Sequence, residues 1–281
     1  GVSEVFNTIH FRDAMNYWRG KVALVTGGSS GLGRIIADAF SGAGATVVVV
    51  GLETDAVERT QAELERSGRE SLGISADITK QEDVDRSIEQ TIGRFGRLDV
   101  LVNNAGRSMR GKVLDTTPEQ FRDLMELNLI ALVRCTRAAA PYLLRQQGHV
   151  VNIGSLAAKS ASRWVGAYPA TKHAVAAYSQ QLRLELGPEG LHVLLVCPGP
   201  IARHGDRLYP LQGMEDVPER ARRPGAGVQV RAISPDRLAA AILRACERRK
   251  PELVMPGKAR LLFALSQLSP RLGDWLVLRK T

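Results

Sequence analysis

Val22-Ala23-Leu24-Val25-Thr26-Gly27-Gly28-Ser29-Ser30-Gly31-Leu32-Gly33 runs from an apolar stretch through a glycine-rich turn into a helical pattern that continues to Phe40. The first five residues show no polar alternation, as expected for a strand covered on both faces. Glycines let the backbone turn tightly and approach a pyrophosphate, and the helix that follows offers free N–H groups and a positive dipole end. Gly27, Gly31 and Gly33 give the spacing GxxxGxG rather than the commoner GxGxxG. The strand–turn–helix setting points to a nucleotide, with an ordinary tight turn as the alternative.

Working outward, the same alternation repeats. Strand-like runs at Thr46–Val50, Ser71–Ala76, Leu98–Asn103, His149–Ser155 and His192–Cys197 alternate with helical stretches at Thr54–Ser67, Val84–Phe95 and Pro118–Arg145, and with a helix from Tyr168. Alternating strands and helices predict a parallel sheet with helices on both faces. No linker divides the 281 residues, so one domain is expected over 20–257, preceded by an apolar lead-in (1–19). Residues 203–230, rich in Arg, Gly and Pro, form an expected substrate lid. A helix at Pro235–Arg248 and an edge strand at Glu252–Met255 precede an apolar, basic, amphipathic tail (258–281), which Pro270 interrupts.

Composition narrows the function classes. A hydrophobic content of 44% supports a sizeable core, and the formal charge of +9 is carried mostly by arginine without aromatic-interleaved basic runs. Nucleic acid is therefore not expected as a partner. Cys135, Cys197 and Cys246 are scattered, which argues for a reducing compartment and against a disulfide framework or metal site. No apolar run is long enough to span a bilayer, and Arg12, Asp13 and Asn16 interrupt any signal-peptide core. The expected location is cytoplasmic, with membrane association through the tail left open.

Tyr168-Pro169-Ala170-Thr171-Lys172 carries the chemistry. Positions four apart share a helix face, so the phenol of Tyr168 and the amine of Lys172 can occupy one site. A nearby cation favours the phenolate, moving the phenol toward a range useful for general acid–base work. Pro169 fits if the helix starts just before Tyr168, because first-turn N–H groups have no helical partner. Ser155 lies thirteen residues upstream. Asp77 follows the third strand, where its carboxylate would either accept from an adenine amino group or cap a turn near Thr79. Asn103-Asn104-Ala105-Gly106 closes the fourth strand, at the edge where open α/β sheets bind ligands. Asn128 interrupts an apolar helix and would make either a local packing bond or a contact to a catalytic water.

Taken together, TGGSSGLG, Asp77, NNAG, Asn128, Ser155 and YPATK resemble the short-chain dehydrogenase/reductase superfamily in its single-domain form, over roughly residues 20–200. The resemblance implies a Rossmann-like doubly wound parallel sheet and an NAD(P)(H)-dependent interconversion of a ketone or aldehyde with an alcohol. Under it, Tyr168 would be the general acid or base. Lys172 would bind the nicotinamide ribose and tune Tyr168, Ser155 would hold the substrate oxygen, and Asn128 would support a proton-relaying water. Cofactor contacts would come from Gly27, Ser29, Ser30, Gly31, Leu32 and Gly33, from Leu52, Asp77 and Ile78, from Asn104, Ala105 and Gly106, and from Tyr168 and Lys172. On the nicotinamide side they would come from Pro198, Gly199 and Ile201. Arg203 stands where relatives often have a carboxamide-binding threonine, a departure from the pattern. A catalytically silent nucleotide sensor of the same fold is the competing reading.

The second strand ends Val50-Gly51-Leu52-Glu53, without the Asp that usually selects NAD. A small Gly51 and the nearby Arg34 lean the expectation to NADP(H) over NAD(H). Similarity to the lipid-, steroid- and retinoid-handling branch implies a hydrophobic small-molecule substrate, and the wider resemblance a homodimer or homotetramer; the apolar, basic tail would either make peripheral membrane contact or pack as a helix pair on the sheet or a subunit neighbour.

Overall fold

Valine dominates the centre of the sheet, and the reason is geometric. β1 (Val22–Thr26), β2 (Thr46–Gly51), β3 (Ser71–Ser75), β4 (Val100–Asn103), β5 (His149–Ile153), β6 (His192–Pro198) and β7 (Glu252–Met255) pair in the order β3-β2-β1-β4-β5-β6-β7, every pair parallel. The computed structural model describes residues 17–202, 218–222 and 231–280. Helices cover both faces, so neither side of a central strand meets water. Within β1, Ala23 and Val25 join one core with Ile36, Phe40, Leu238 and Ile242, while Val22 and Leu24 join the other with Val84, Ile88, Ala139 and Leu143. Removing the fully buried Phe40 ring would cost about 3–5 kcal/mol.

The helices are α1 (Gly31–Gly42), α2 (Thr54–Arg66), α3 (Gln81–Phe95), α4 (Pro118–Met125), α5 (Ala131–Arg145), α6 (Tyr168–Leu186), α7 (Pro235–Glu247), α8 (Ala259–Leu268) and α9 (Pro270–Lys280). Local chemistry sets several ends. Thr117 and Gln120 form a reciprocal capping box ahead of Pro118. Gly96, at φ 72°, ends α3 in the left-handed conformation that glycine adopts without a Cβ clash. α6 begins at Tyr168 and Pro169 falls in its first turn, as the sequence requires.

Two spans differ from expectation. The helix predicted over Pro118–Arg145 is interrupted by a π-turn at Glu126–Ile130, centred on the buried Asn128. The strand predicted to reach Ser155 stops at Ile153, and Ser155 instead caps a short 3₁₀ turn, Leu156–Ala158.

Sheet order places β1 beside β4, with the chain winding outward in both directions, so the ligand crevice lies outside the carboxyl ends of these strands. The opposite end is closed by Tyr17 and Trp18. Trp18 is fully buried, edge-on to Phe40 at 4.9 Å, and donates to Glu247 at 2.7 Å. This end of the lead-in therefore packs on its own domain, while residues 1–16 lie outside the described residues. Beside it, His149 and His192, the first residues of β5 and β6, approach Nδ1 to Nδ1 at 2.8 Å. The Lys250 carbonyl can only accept, so His192 Nε2 carries a proton and its Nδ1 accepts from His149. His149 Nε2 then accepts from the Tyr17 hydroxyl at 2.9 Å.

All three cysteines are buried and unpaired. No helix among the described residues is long and apolar enough to cross a membrane.

Candidate active site

The turn after β1 is shaped by what cannot fit there. A Cβ on Gly33 would stand 2.1 Å from the Gly27 carbonyl oxygen and 2.4 Å from Asn104 Nδ2. Gly27 itself sits at φ 62°. Thr26 Oγ1 accepts from the amides of Asn104 and Ala105 at 3.0 and 3.1 Å, and Asn104 Nδ2 donates to the Thr26 carbonyl at 2.9 Å. The β4 turn is thus bound to the glycine turn, and α1 starts with its N–H groups facing the crevice between them.

Behind this edge, Asn103 and Asn152 are in register on β4 and β5 and share a hydrogen bond of 2.9 Å. Asn103 also donates to Thr136, and Asn152 to Ser179. This buried polar ladder ties α5 and α6 to the sheet. The sequence marks Asn103 but not Asn152 or Ser179, and only the two asparagines at equivalent strand positions hint at the pairing.

Tyr168 and Lys172 lie one turn apart on α6, and the Lys172 Nζ is 5.8 Å from the Tyr168 ring centroid. Lys172 is buried and donates to the Ile153 carbonyl at 2.8 Å. Burial pushes its pKa down to about 8. Behind it, burial pushes the Cys197 thiol up to about 12, so that sulfur stays neutral. Ser155 Oγ accepts from Ala157 N at 3.1 Å, which leaves its proton available to a group in the cleft. Ser155, Tyr168 and Lys172 all line one cleft of about 2210 Å³, together with the glycine turn. That is more than twice the upper volume of about 1,000 Å³ typical of a small-molecule site, so a dinucleotide and a substrate have room side by side.

Asn128 does not line this cleft. Its Oδ1 accepts from Arg107 N, and its Nδ2 donates to the Arg107 carbonyl and to Thr171 Oγ1, each at 3.0 Å. Both Nδ2 hydrogens and one Oδ1 lone pair are thus engaged within this local cluster. It also borders Gly106, where an added Cβ would stand 2.9 Å from Asn128 Oδ1 and 3.9 Å from Lys172 Nζ. Asp77 lines the cleft, but its Oδ1 accepts from Thr79 N and Thr79 Oγ1, so it caps that turn as well.

Leu52, Ile78, Asn104, Ala105, Gly106, Pro198, Gly199 and Ile201 all line the cleft, as do Gly27, Ser29, Ser30, Gly31 and Leu32. Gly33 is packed behind the turn. Two residues weighed for the cofactor choice have close neighbours in the structure. Arg34 is held by Asp38, Glu63 and Thr60, and is not among the residues lining the cleft. Gly51 lines the cleft beside Ser29, whose Oγ lies 2.5 Å from where a Cβ would stand. Arg203 and most of the expected lid lie outside the described residues. Within that span, Glu219–Arg222 is described and is reached by Arg110, a buried residue of the cleft wall that donates to the Ala221 carbonyl at 2.9 Å. A lone arginine in a loop gave no sequence signal for this.

Comparison with known proteins agrees with the geometry. Residues 21–206 match the family described as short chain dehydrogenase. L-fucose dehydrogenase of Oryctolagus cuniculus is 39% identical over 185 residues, covering 66% of this chain and 64% of that protein. The crystal structure of a short-chain dehydrogenase from Streptomyces avermitilis superposes with a TM-score of 0.74 at 33% identity, covering 92% of this chain and 97% of that one. A short chain dehydrogenase/reductase from Burkholderia phymatum, solved in complex with NAD, superposes at 0.79 and 23% identity over 91% of this chain and 95% of that one, a likeness of fold. With the glycine turn, the doubly wound sheet and the Tyr168–Lys172 pair in one cleft, this chain belongs to the short chain dehydrogenase family of oxidoreductases.

Proposed function

We propose that the chain interconverts a ketone or aldehyde with an alcohol using a nicotinamide dinucleotide, on a substrate with a largely apolar body. The observation that carries this is the shared cleft of the glycine turn, Ser155, Tyr168 and Lys172. The residues fit a dinucleotide, since the close approach at Gly33 leaves backbone rather than side chains facing the pyrophosphate position, at a helix N-terminus. When bound, the nicotinamide supplies the hydride chemistry. The chain's own work is protonic and positional. Ser155 donates to the carbonyl oxygen, and Tyr168 gives that oxygen a proton in reduction or removes it in oxidation. Lys172, fixed by Ile153, holds positive charge beside the phenol and donates toward the cofactor ribose. Asn128 acts from behind, fixing the Arg107 main chain and Thr171 on either side of the lysine.

The charged residues at the nucleotide end of the cleft, in the turns after β2 and β3, are Glu53 and Asp77, with no cation among them. A carboxylate there accepts from a ribose hydroxyl and repels a phosphate, which supports NAD(H) over the NADP(H) suggested by sequence. Apolar walls from Leu127, Leu156, Met255, Leu262 and Phe263 support the hydrophobic substrate. Assembly as a homodimer or homotetramer, and peripheral membrane contact through the tail, belong to the same reading. The exposed Leu184 of α6 is a feature a subunit contact would cover.

Tyr168→Phe tests the core of it. Turnover of a bulky ketone should fall by about 10²–10⁴ while the affinity for the reduced cofactor stays within a factor of about two. An unchanged rate would remove Tyr168 from the mechanism, and tight cofactor binding without turnover across a broad carbonyl panel would favour a sensor.

A further inference from the structure

The α8–α9 hairpin has two apolar faces. Its inner face is cleft wall, formed by Leu262, Phe263, Leu265, Leu276 and Val277. Its outer face leaves Leu268 83% exposed and Leu278 55% exposed, together with exposed Leu272 and Trp275. The two helices are closed tightly on each other, because Gly273 is buried against Ser266, where a Cβ would stand 2.7 Å from the hydroxyl. Among the described residues α9 packs mainly on α8, and α8 touches the sheet through β7. Two short helices of 10 and 11 residues cannot span a bilayer, but they can lie in its surface.

Charge chooses the occupant of the outer face. The second helix of the hairpin, which carries Leu272, Trp275 and Leu278, also carries Arg271 and Arg279 against the single carboxylate of Asp274, while Lys258 lines the cleft and Arg260 donates to the Glu252 carbonyl. The Arg279 guanidinium lies 4.0 Å over the Trp275 ring, so this end of the hairpin combines an apolar body with a cationic tip, a pairing suited to the headgroup layer. A second copy placed on the same face would bring like charges together, whereas anionic headgroups neutralise them. The loop after β4 leaves the sheet at the same carboxyl edge as the hairpin and exposes Val113 and Leu114, the latter by 94%.

We infer that the α8–α9 hairpin seats the mouth of the cleft on an anionic lipid surface, so that an apolar substrate passes from the bilayer along the hairpin into the site. The inference rests on the oxidoreductase reading above for its substrate, and on the hairpin alone for its partner. Leu261 joins the two faces, being both exposed and part of the cleft wall.

The test is co-sedimentation of the full chain with vesicles of phosphatidylcholine alone and of phosphatidylcholine with phosphatidylglycerol, together with turnover of a water-soluble ketone. Protein should pellet with the anionic vesicles, be released by high salt, and stay in solution with the neutral ones. Leu268→Glu combined with Leu272→Glu, neither residue lining the cleft, should weaken anionic-vesicle binding at least about tenfold and leave soluble-ketone turnover unchanged. Supernatant fractions equal for all vesicles, with turnover intact, overturn the docking and leave the enzyme reading standing. Vesicle binding without turnover on any ketone supports the docking and counts against the enzyme reading. Concentration-dependent self-association abolished by the two substitutions, with no vesicle binding, assigns the face to a second copy and overturns the inference. Circular dichroism of the variant separates unfolding from loss of the surface, and Arg271→Glu with Arg279→Glu gives an independent charge reversal that should also abolish binding.

Discussion

Lys172 of α6 donates to the Ile153 carbonyl at the end of β5 at 2.8 Å, which anchors the amine to the sheet edge one helical turn from Tyr168. Burial holds its pKa at about 8 against an ordinary 10.5, so keeping it charged at neutral pH costs roughly 3 kcal/mol. The sign is that of a depressed cation: between about 8 and 10.5 the unfolded chain holds a proton that the folded chain has lost. Lys172→Met removes that cost and forfeits one hydrogen bond, worth about 1–3 kcal/mol to a carbonyl left unpaired. Thermal unfolding should therefore shift little or upward while turnover falls at least about a hundredfold. A collapse of the melting temperature would mean that the amine is structural.

Gly33→Ala places a methyl group 2.1 Å from the Gly27 oxygen. The glycine turn must move, so cofactor affinity should drop at least about tenfold, and the melting temperature should fall by several degrees, reflecting overpacking of about 1–3 kcal/mol. Fluorescence titration and calorimetry read both, and wild-type affinity in this variant would show that the cofactor does not use the turn.

Glu53 and Asp77 are the charged residues that the turns after β2 and β3 contribute to the cleft lining, and Lys80 of the second turn is not part of it. Wild-type protein should bind NADH more tightly than NADPH, and Glu53→Arg should move the ratio of the two dissociation constants toward NADPH by at least about tenfold, as expected from exchanging repulsion for a charge-assisted contact. Tighter NADPH binding by the wild type would reverse the assignment.

His149 and His192 are both buried as neutral rings, with pKa values pushed down by desolvation to about 3 and about 4. Below an unfolded value of 6.5 the unfolded chain takes up protons that the native pair refuses, so stability is full above about pH 6.5 and is lost as pH falls toward 4 and 3. With two protons involved the slope approaches about 2.7 kcal/mol per pH unit. Replacing both by asparagine should flatten the dependence of the melting temperature between about pH 7 and pH 5, and an unaltered slope would place the acid sensitivity elsewhere.

Much of the site was legible because its signals are short-range. A valine run, a glycine turn and a helical period fix local backbone geometry, and the spacing of Tyr168 and Lys172 puts two side chains on one helical face wherever the helix goes. The strand–helix alternation carried the parallel sheet for the same reason. Arg34 shows where this stops: its sequence position beside the last motif glycine suggested a phosphate, but Glu63, on the neighbouring helix, claims it at 2.7 Å.

By itself, then, the sequence determined the class of sheet, the glycine turn and the placement of Tyr168 and Lys172 on one helical face, since each depends on residues within a turn or a strand of one another. Only the tertiary structure decided that Asn128 spends its amide on Arg107 and Thr171, that Asn103 meets Asn152, and that Tyr17 meets His149 across 132 residues of chain. Those partners follow from strand order and helix packing, which bring together positions whose separation along the chain carries no periodic signal.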